Sequence, residues 1–177
     1  MTELCPETIE EGQNIIPALQ MVSSTVLRGG QPDAEGLRLL QKAGVKLIVN
    51  LRHSVRNTGS TGSFFRRRGD DDEIDEERLL AESLGMRFVN ISLDGINTPS
   101  VDLLDQFIAL FADSENLPLF VHCLYGKERT GLMVGCYRLK IEGWSCDQAY
   151  REMIQTGLDP SRTVISDALF TFAEPRL

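Results

Sequence analysis

The chain has 177 residues, a net charge of −8, and 42% hydrophobic and 25% charged residues, the balance of a water-soluble globular domain with a sizeable core. The acidic excess argues against general nucleic-acid binding, because a phosphate backbone demands a basic face. It still allows a phosphorylated protein or small phosphorylated substrate, gripped locally by backbone N–H groups. No apolar run approaches the ~18 residues of a membrane span, and the acidic N-terminus lacks the basic region of a signal peptide. Cys5, Cys123, Cys136 and Cys146 lack the paired spacing of a disulfide or zinc framework. A reduced, cytoplasmic protein without metal or cofactor is expected.

In chain order, "MVSSTVLRGGQP" reads as one strand ending in a Gly-Gly-Gln-Pro turn. "DAEGLRLLQKAG" reads as a helix opened by Asp33 and closed by Gly44. "VKLIVNLR" is a β-branched apolar run, hence a buried strand. The polar stretch that follows, with Arg66, Arg67 and Arg68 beside two phenylalanines, reads as a long surface loop. Its arginines are either a substrate rim or solvated surface balanced by the acids from Asp70 to Glu77. "DEIDEERLLAESLG" is a helix whose early acids suit the N-terminal dipole. "MRFVNISL" is a strand, and "DGINTPS" is a loop into the amphipathic helix "VDLLDQFIALFADS". "LPLFVHC" is the next strand, followed by the helix "RTGLMVGCYRLKIEG", apolar on nearly every face and therefore central. Helices "CDQAYREMIQTG" and "SRTVISDALFTF" close the chain. Strands alternating with helices predict an α/β fold, a central and mainly parallel sheet flanked by helices. We read residues 1–177 as one domain, with its core about 22–158 and a C-terminal helix about 161–173. Sites in such sheets lie at the carboxyl ends of the strands, and Cys123 occupies one of them.

The stretch "HCLYGKERTG" carries the chemistry. A strand, a loop containing Gly126 and a helix starting near Thr130 gather several N–H groups around one point, which makes an anion site. The backbone from Leu124 through Tyr125, Gly126, Lys127 and Glu128 is the candidate phosphate cradle. Arg129 adds a planar fork for two phosphoryl oxygens. A cysteine so placed has a lowered pKa and attacks as thiolate, so a phosphocysteine intermediate is the expected outcome. Thr130 can donate to the sulfur and ease its later departure. The plain alternative is an inert buried cysteine. The coincidence of His122, Cys123, Gly126, Arg129, Thr130 and Gly131 weighs against it. With His53 the only other histidine, His122 is expected to orient the loop and not to bind metal.

This loop resembles the HCxxGxxR[ST]G signature of the cysteine-dependent protein tyrosine and dual-specificity phosphatases. It is most similar to the atypical dual-specificity group of plants and fungi, whose loops read HCxxGKxRTG and whose Gly-Gln-Pro turn and "NLR" strand match "RGGQP" and "VNLR" here. The likeness spans roughly residues 22–158. It implies a phosphatase fold, metal-independent hydrolysis and a mobile loop carrying an aspartic general acid. Asp94 in "ISLDGINTPS" matches that loop; the alternative is an Asx turn before Gly95. Asp102 is the reserve acid, with Asp105 behind it. Lys127 matches a lysine of several inositide-directed relatives. Leu124 and Tyr125 stand where that group is often basic, and Glu128 adds a negative charge, which favours phosphotyrosine over inositol phosphates or phosphoinositides as substrate. Cys136 is a buried helical cysteine or an oxidative partner of Cys123. A rhodanese-like sulfurtransferase, whose loop is usually one residue shorter, and a non-catalytic phosphate-binding module are the competing readings.

Overall fold

A computed structural model describes residues 4–54 and 70–174. Among these, β1 (Gln20–Ser23), β2 (Val26–Gly29), β3 (Leu47–Asn50), β4 (Arg87–Asn90) and β5 (Leu119–His122) form one sheet, ordered β1-β2-β5-β3-β4. The β2, β5, β3 and β4 strands are parallel, and β1 is antiparallel at the edge. Seven α-helices accompany them among the described residues: α1 (Pro6–Gly12), α2 (Ala34–Lys42), α3 (Asp70–Ser83), α4 (Val101–Ala109), α5 (Glu128–Lys140), α6 (Cys146–Gln155) and α7 (Thr163–Ala173).

The inner strands are apolar at successive positions because both faces of the sheet are covered. Val26, Leu47, Val49, Leu119 and Val121 point into a core shared with Phe107 of α4, Leu132 and Met133 of α5, Met153 of α6, and Leu169 and Phe172 of α7. Their neighbours Leu27, Ile48 and Phe120 point the other way, onto Ile9 of α1, Leu37 and Leu40 of α2, and Ala81 of α3. The period-2 alternation of side chains along a strand thus divides one apolar run between two cores. Helix α5 is buried from Thr130 to Arg138, which is why its sequence lacks a polar face.

Two features depart from the sequence reading. The segment 21–32 is a hairpin, not one strand. The chain reverses at Ser24–Thr25, where Thr25 N donates to Ser23 Oγ at 3.4 Å, and β1 pairs with β2 through a register shift between Met21 and Ser23. Helix α1 was not anticipated. Its seven residues are too few to display a period, but Pro6 suits the first helical turn. Gly12 lets it close on the core, since a Cβ there would lie 2.7 Å from Leu19 and Leu39 side-chain carbons.

Register fixes where function can sit. Gly29 pairs with His122, His122 with Asn50, and Asn50 with Asn90, so four parallel strands end at one level. The loops that follow them emerge along one rim.

Candidate active site

Cys123 is the first residue beyond β5 and is only 3% exposed. The loop turns at Gly126, whose φ is +71°, a conformation glycine adopts without strain. The backbone also needs the missing side chain, because a Cβ at Gly126 would lie 2.5 Å from the Gly29 carbonyl carbon and 2.6 Å from Gly30 N. Helix α5 then starts at Glu128, two residues before the expected start, so its first unpaired N–H groups face the loop.

Burial alone would push the Cys123 thiol up. It is nevertheless held below an ordinary thiol by the Thr130 hydroxyl, the Arg129 charge, and the N–H groups of Thr130 and Tyr125. Thr130 is fully buried and its hydroxyl makes no geometric hydrogen bond among the described residues, yet it lies near enough to the sulfur to favour the thiolate. Cys136, by contrast, is pushed far up by burial, which fits an inert core thiol. Arg129 commits Nη1 to the carbonyls of Leu51 (3.3 Å) and Leu93 (3.2 Å). Those two anchors fix the guanidinium plane and leave its other edge for a bidentate oxyanion contact.

Asp94 lies in the loop between β4 and α4, beside Arg129: a Cβ built on the neighbouring Gly95 would lie 3.8 Å from Arg129 Cδ. Its carboxylate is enclosed by its own loop. Oδ1 accepts from Ile96 N (2.8 Å) and Asn97 N (2.9 Å), and Oδ2 accepts from Asn97 Nδ2 (2.7 Å). Burial raises its pKa, but these Asn97 and Ile96 bonds outweigh it and hold the group below the usual carboxylate range. The Asx turn is therefore present, in the loop between β4 and α4. Asp102 sits in the first turn of α4, as its dipole role predicts, with Asp105 deeper in the same helix.

His122 orients the loop as expected, with Nδ1 3.3 Å from the Cys123 carbonyl oxygen and its ring stacked on Phe120. What holds His122 was not foreseen. Its Nε2 lies 2.8 Å from Glu77 Oε1, in the geometry of an ion pair and not of a straight hydrogen bond. Glu77, on α3 and 5% exposed, also accepts from Asn50 Nδ2 (2.6 Å) and Gln31 Nε2 (2.8 Å). Burial pushes this carboxyl up, yet the imidazole, Gln31 and Asn50 together hold it low. Arg28 and Arg162 were missed too. Arg28 Nη2 donates to the Gly126 carbonyl at 2.8 Å. Arg162 Nη2 donates to the Gly95 carbonyl at 2.7 Å and lies 3.6 Å from Glu128 Oε2. Glu128 therefore faces Arg162 from the head of α5. For Arg28 the one available signal was a charge placed directly after the apolar pair Val26 and Leu27; Glu77 and Arg162 had none, because the tertiary fold alone brings them here. Arg66, Arg67 and Arg68 lie outside the described residues. Among the described residues no cluster of His, Cys, Asp or Glu could hold a metal ion, and no helix is long and apolar enough to cross a membrane.

Comparison with known proteins agrees with this geometry. The chain is 28% identical over 165 residues to inositol diphosphatase DSP4 of Arabidopsis thaliana, covering 90% of this chain and 73% of that protein. It is 25% identical over 154 residues to the dual specificity protein phosphatase TpbA of Pseudomonas aeruginosa, covering 86% of this chain and 61% of that one. Among solved structures, the core catalytic domain of the PP-IP phosphatase SIW14 from S. cerevisiae superposes with a TM-score of 0.68 at 20% identity, covering 89% and 88% of the two chains; that likeness establishes the fold. A family model described as DSP-PTPase phosphatase fused to NAD+ kinase matches residues 11–166. Because that match encloses all five strands and the whole cysteine loop, the chain belongs to this family of dual-specificity and tyrosine phosphatases.

Proposed function

We propose that the protein hydrolyses phosphomonoesters through a phosphocysteine intermediate on Cys123. The observation that carries this reading is the placement of Cys123, buried just beyond β5 where the loop turns at Gly126 into the head of α5, with Arg129 anchored on the Leu51 and Leu93 carbonyls. The Cys123 thiolate attacks phosphorus while the phosphoryl oxygens rest on the N–H groups from Leu124 to Glu128 and on the Arg129 fork. The P–O bond of the leaving group breaks, and its oxygen takes a proton from Asp94. The Asp94 carboxylate then removes a proton from water, which attacks phosphorus. The P–S bond breaks, phosphate leaves, and Thr130 steadies the returning thiolate. A phosphate dianion approaching Asp94 raises its pKa by charge repulsion, opposing the Asn97 bonds that lower it in the free enzyme. This chemistry requires a reduced thiol, and four free cysteines suit the cytoplasm.

For substrate we favour phosphotyrosine in proteins, with phosphoserine and phosphothreonine behind it. Tyr125 is 67% exposed and Ile96 58% exposed, one in the cysteine loop and one in the Asp94 loop, and together they offer apolar surface to a phenyl ring. The second reading is an inositol diphosphate, favoured by the name of the Arabidopsis relative and by exposed Lys127 with Arg162 at the rim.

Three measurements test this. Rapid acid quench of wild type turning over an aryl phosphate should trap phosphate on the peptide containing Cys123. Cys123→Ser should lose turnover yet still bind phosphate, because the serine hydroxyl stays protonated while the N–H cradle remains. Retained turnover in Cys123→Ser would refute the nucleophile. A panel of phosphotyrosine peptide, phosphoserine peptide and inositol polyphosphate at matched ionic strength then orders the substrates by kcat/KM.

A further inference from the structure

Arg28 is 2% exposed, a rare place for a side chain that is always charged. It runs under the outer face of the cysteine loop. Nη2 donates to the carbonyls of Gly126 (2.8 Å) and Lys127 (3.4 Å), and Nη1 donates to Thr156 Oγ1 (2.9 Å) just beyond α6. The next residues extend the same bed. Gly29 and Gly30 lie against Gly126, and Gln31 N donates to the Leu124 carbonyl at 3.1 Å.

Peptide geometry gives these contacts a consequence. In a trans peptide the C=O and the following N–H point in opposite directions. Drawing the Leu124 carbonyl outward turns Tyr125 N–H inward, and that N–H reaches the Cys123 sulfur. By the same rule, drawing the Gly126 carbonyl toward Arg28 turns Lys127 N–H inward, toward the space where a phosphate oxygen would sit. We propose that Arg28 is a positioning residue of the phosphate loop: it aims the loop N–H groups from outside, and its buried charge steadies the anions on the inner side. This rests on the reading of Cys123 as nucleophile.

The charges around it agree. Burial disfavours the Arg28 cation, with Arg138 of α5 adding to that, whereas Glu152 of α6 and the Cys123 thiolate favour it. Facing the sulfur are Arg129 and the Thr130 hydroxyl on α5, and the Tyr125 and Thr130 N–H groups, with His122 one residue before. Arg28 is thus a second guanidinium acting on the thiolate, from the side opposite the substrate. Lysine cannot replace it, since one ammonium does not span from the Gly126 carbonyl to the Thr156 hydroxyl.

The test uses the full chain as wild type, Arg28→Lys, Arg28→Met and Thr156→Val, with folding checked by thermal unfolding. Iodoacetamide alkylation of Cys123, followed by peptide mass spectrometry across pH, reads the thiolate; inorganic phosphate reads the cradle. Both Arg28 variants should raise the alkylation midpoint by about one pH unit and weaken phosphate binding about tenfold. Thr156→Val, which loses only the outer anchor, should shift both in the same direction by less. A folded Arg28→Met with the wild-type midpoint and phosphate affinity overturns the proposal. Should the Arg28 variants fail to fold, an unchanged Thr156→Val overturns it. If wild-type Cys123 itself reacts only at the pH of an ordinary thiol, the phosphocysteine reading falls and this inference with it. A normal wild-type profile with unaffected variants removes Arg28 alone.

Discussion

Asp94 carries two demands that pull its pKa in opposite directions. As a loop residue it accepts three hydrogen bonds from Ile96 and Asn97, all of which favour the anion. As a proton donor it must be neutral when substrate arrives. Asp94→Asn should therefore lower kcat on an alkyl phosphate by ~10²–10⁴-fold while barely slowing a nitrophenyl phosphate, whose leaving group needs little help. Equal losses on both would make Asp94 purely structural and turn attention to Asp102. Asn97→Ala gives the complementary result. Removing Nδ2 destabilises the Asp94 anion and raises its pKa. The protonated form then persists to higher pH, so the alkaline limb of the alkyl-phosphate profile should move up. An alkaline limb that stays in place would mean that another group sets it.

At the scale of elements, the Asp94 loop is tied to the head of α5. Arg129 holds the Leu93 carbonyl, and Arg162, just ahead of α7, holds the Gly95 carbonyl with Glu128 beside it. A neutral-acceptor hydrogen bond of this kind contributes ~0.5–1.5 kcal/mol, and an exposed ion pair ~0.2–1 kcal/mol. Arg162→Ala should thus lower the unfolding temperature by only a few degrees yet cost about three- to tenfold in kcat. The cost should be larger for alkyl than for nitrophenyl phosphates, because what loosens is the loop that carries the acid. A uniform loss across leaving groups would show that Arg162 acts on binding instead. Glu128 gains its meaning here: an acid at the first position of a helix beside a phosphate cradle looks unfavourable until Arg162 is placed against it.

Across the whole molecule, Glu77 joins the two sides of the sheet rim, linking α3 to His122 on β5, Asn50 on β3 and Gln31 beyond β2. Its folded pKa lies below the ordinary glutamate value, which is about 4.3. The stability it contributes is therefore present above that value and is lost as pH falls through the lower, folded pKa. Glu77→Gln should lower stability at pH 7 by about 1–3 kcal/mol and flatten the dependence of Tm on pH below about 4. A variant that keeps the wild-type slope in that acid range would show that other carboxylates govern acid unfolding.

What could be read without the fold was what contiguous residues encode. Cys123, Gly126, Arg129 and Thr130 fall within one strand–loop–helix unit, so local backbone geometry suffices to bring sulfur, N–H groups and guanidinium together. The apolar runs 47–50 and 119–122 announced buried strands, and the all-apolar helix that follows announced its central place. The reversal at Ser24–Thr25 was not legible, because a serine side chain replaces the usual glycine signal of a tight hairpin and the apolar pattern runs straight through it. Nor were the roles of Arg28, Glu77 and Arg162. Glu77 and Arg162 are charged residues whose sequence neighbours suit the surface, and only helix and loop packing brings them here; Arg28 reaches the cysteine loop because the sheet order sets β2 beside β5. Parallel strands bring together residues far apart in the chain, so the nucleophile is written locally while the groups that hold it still are chosen by the tertiary structure.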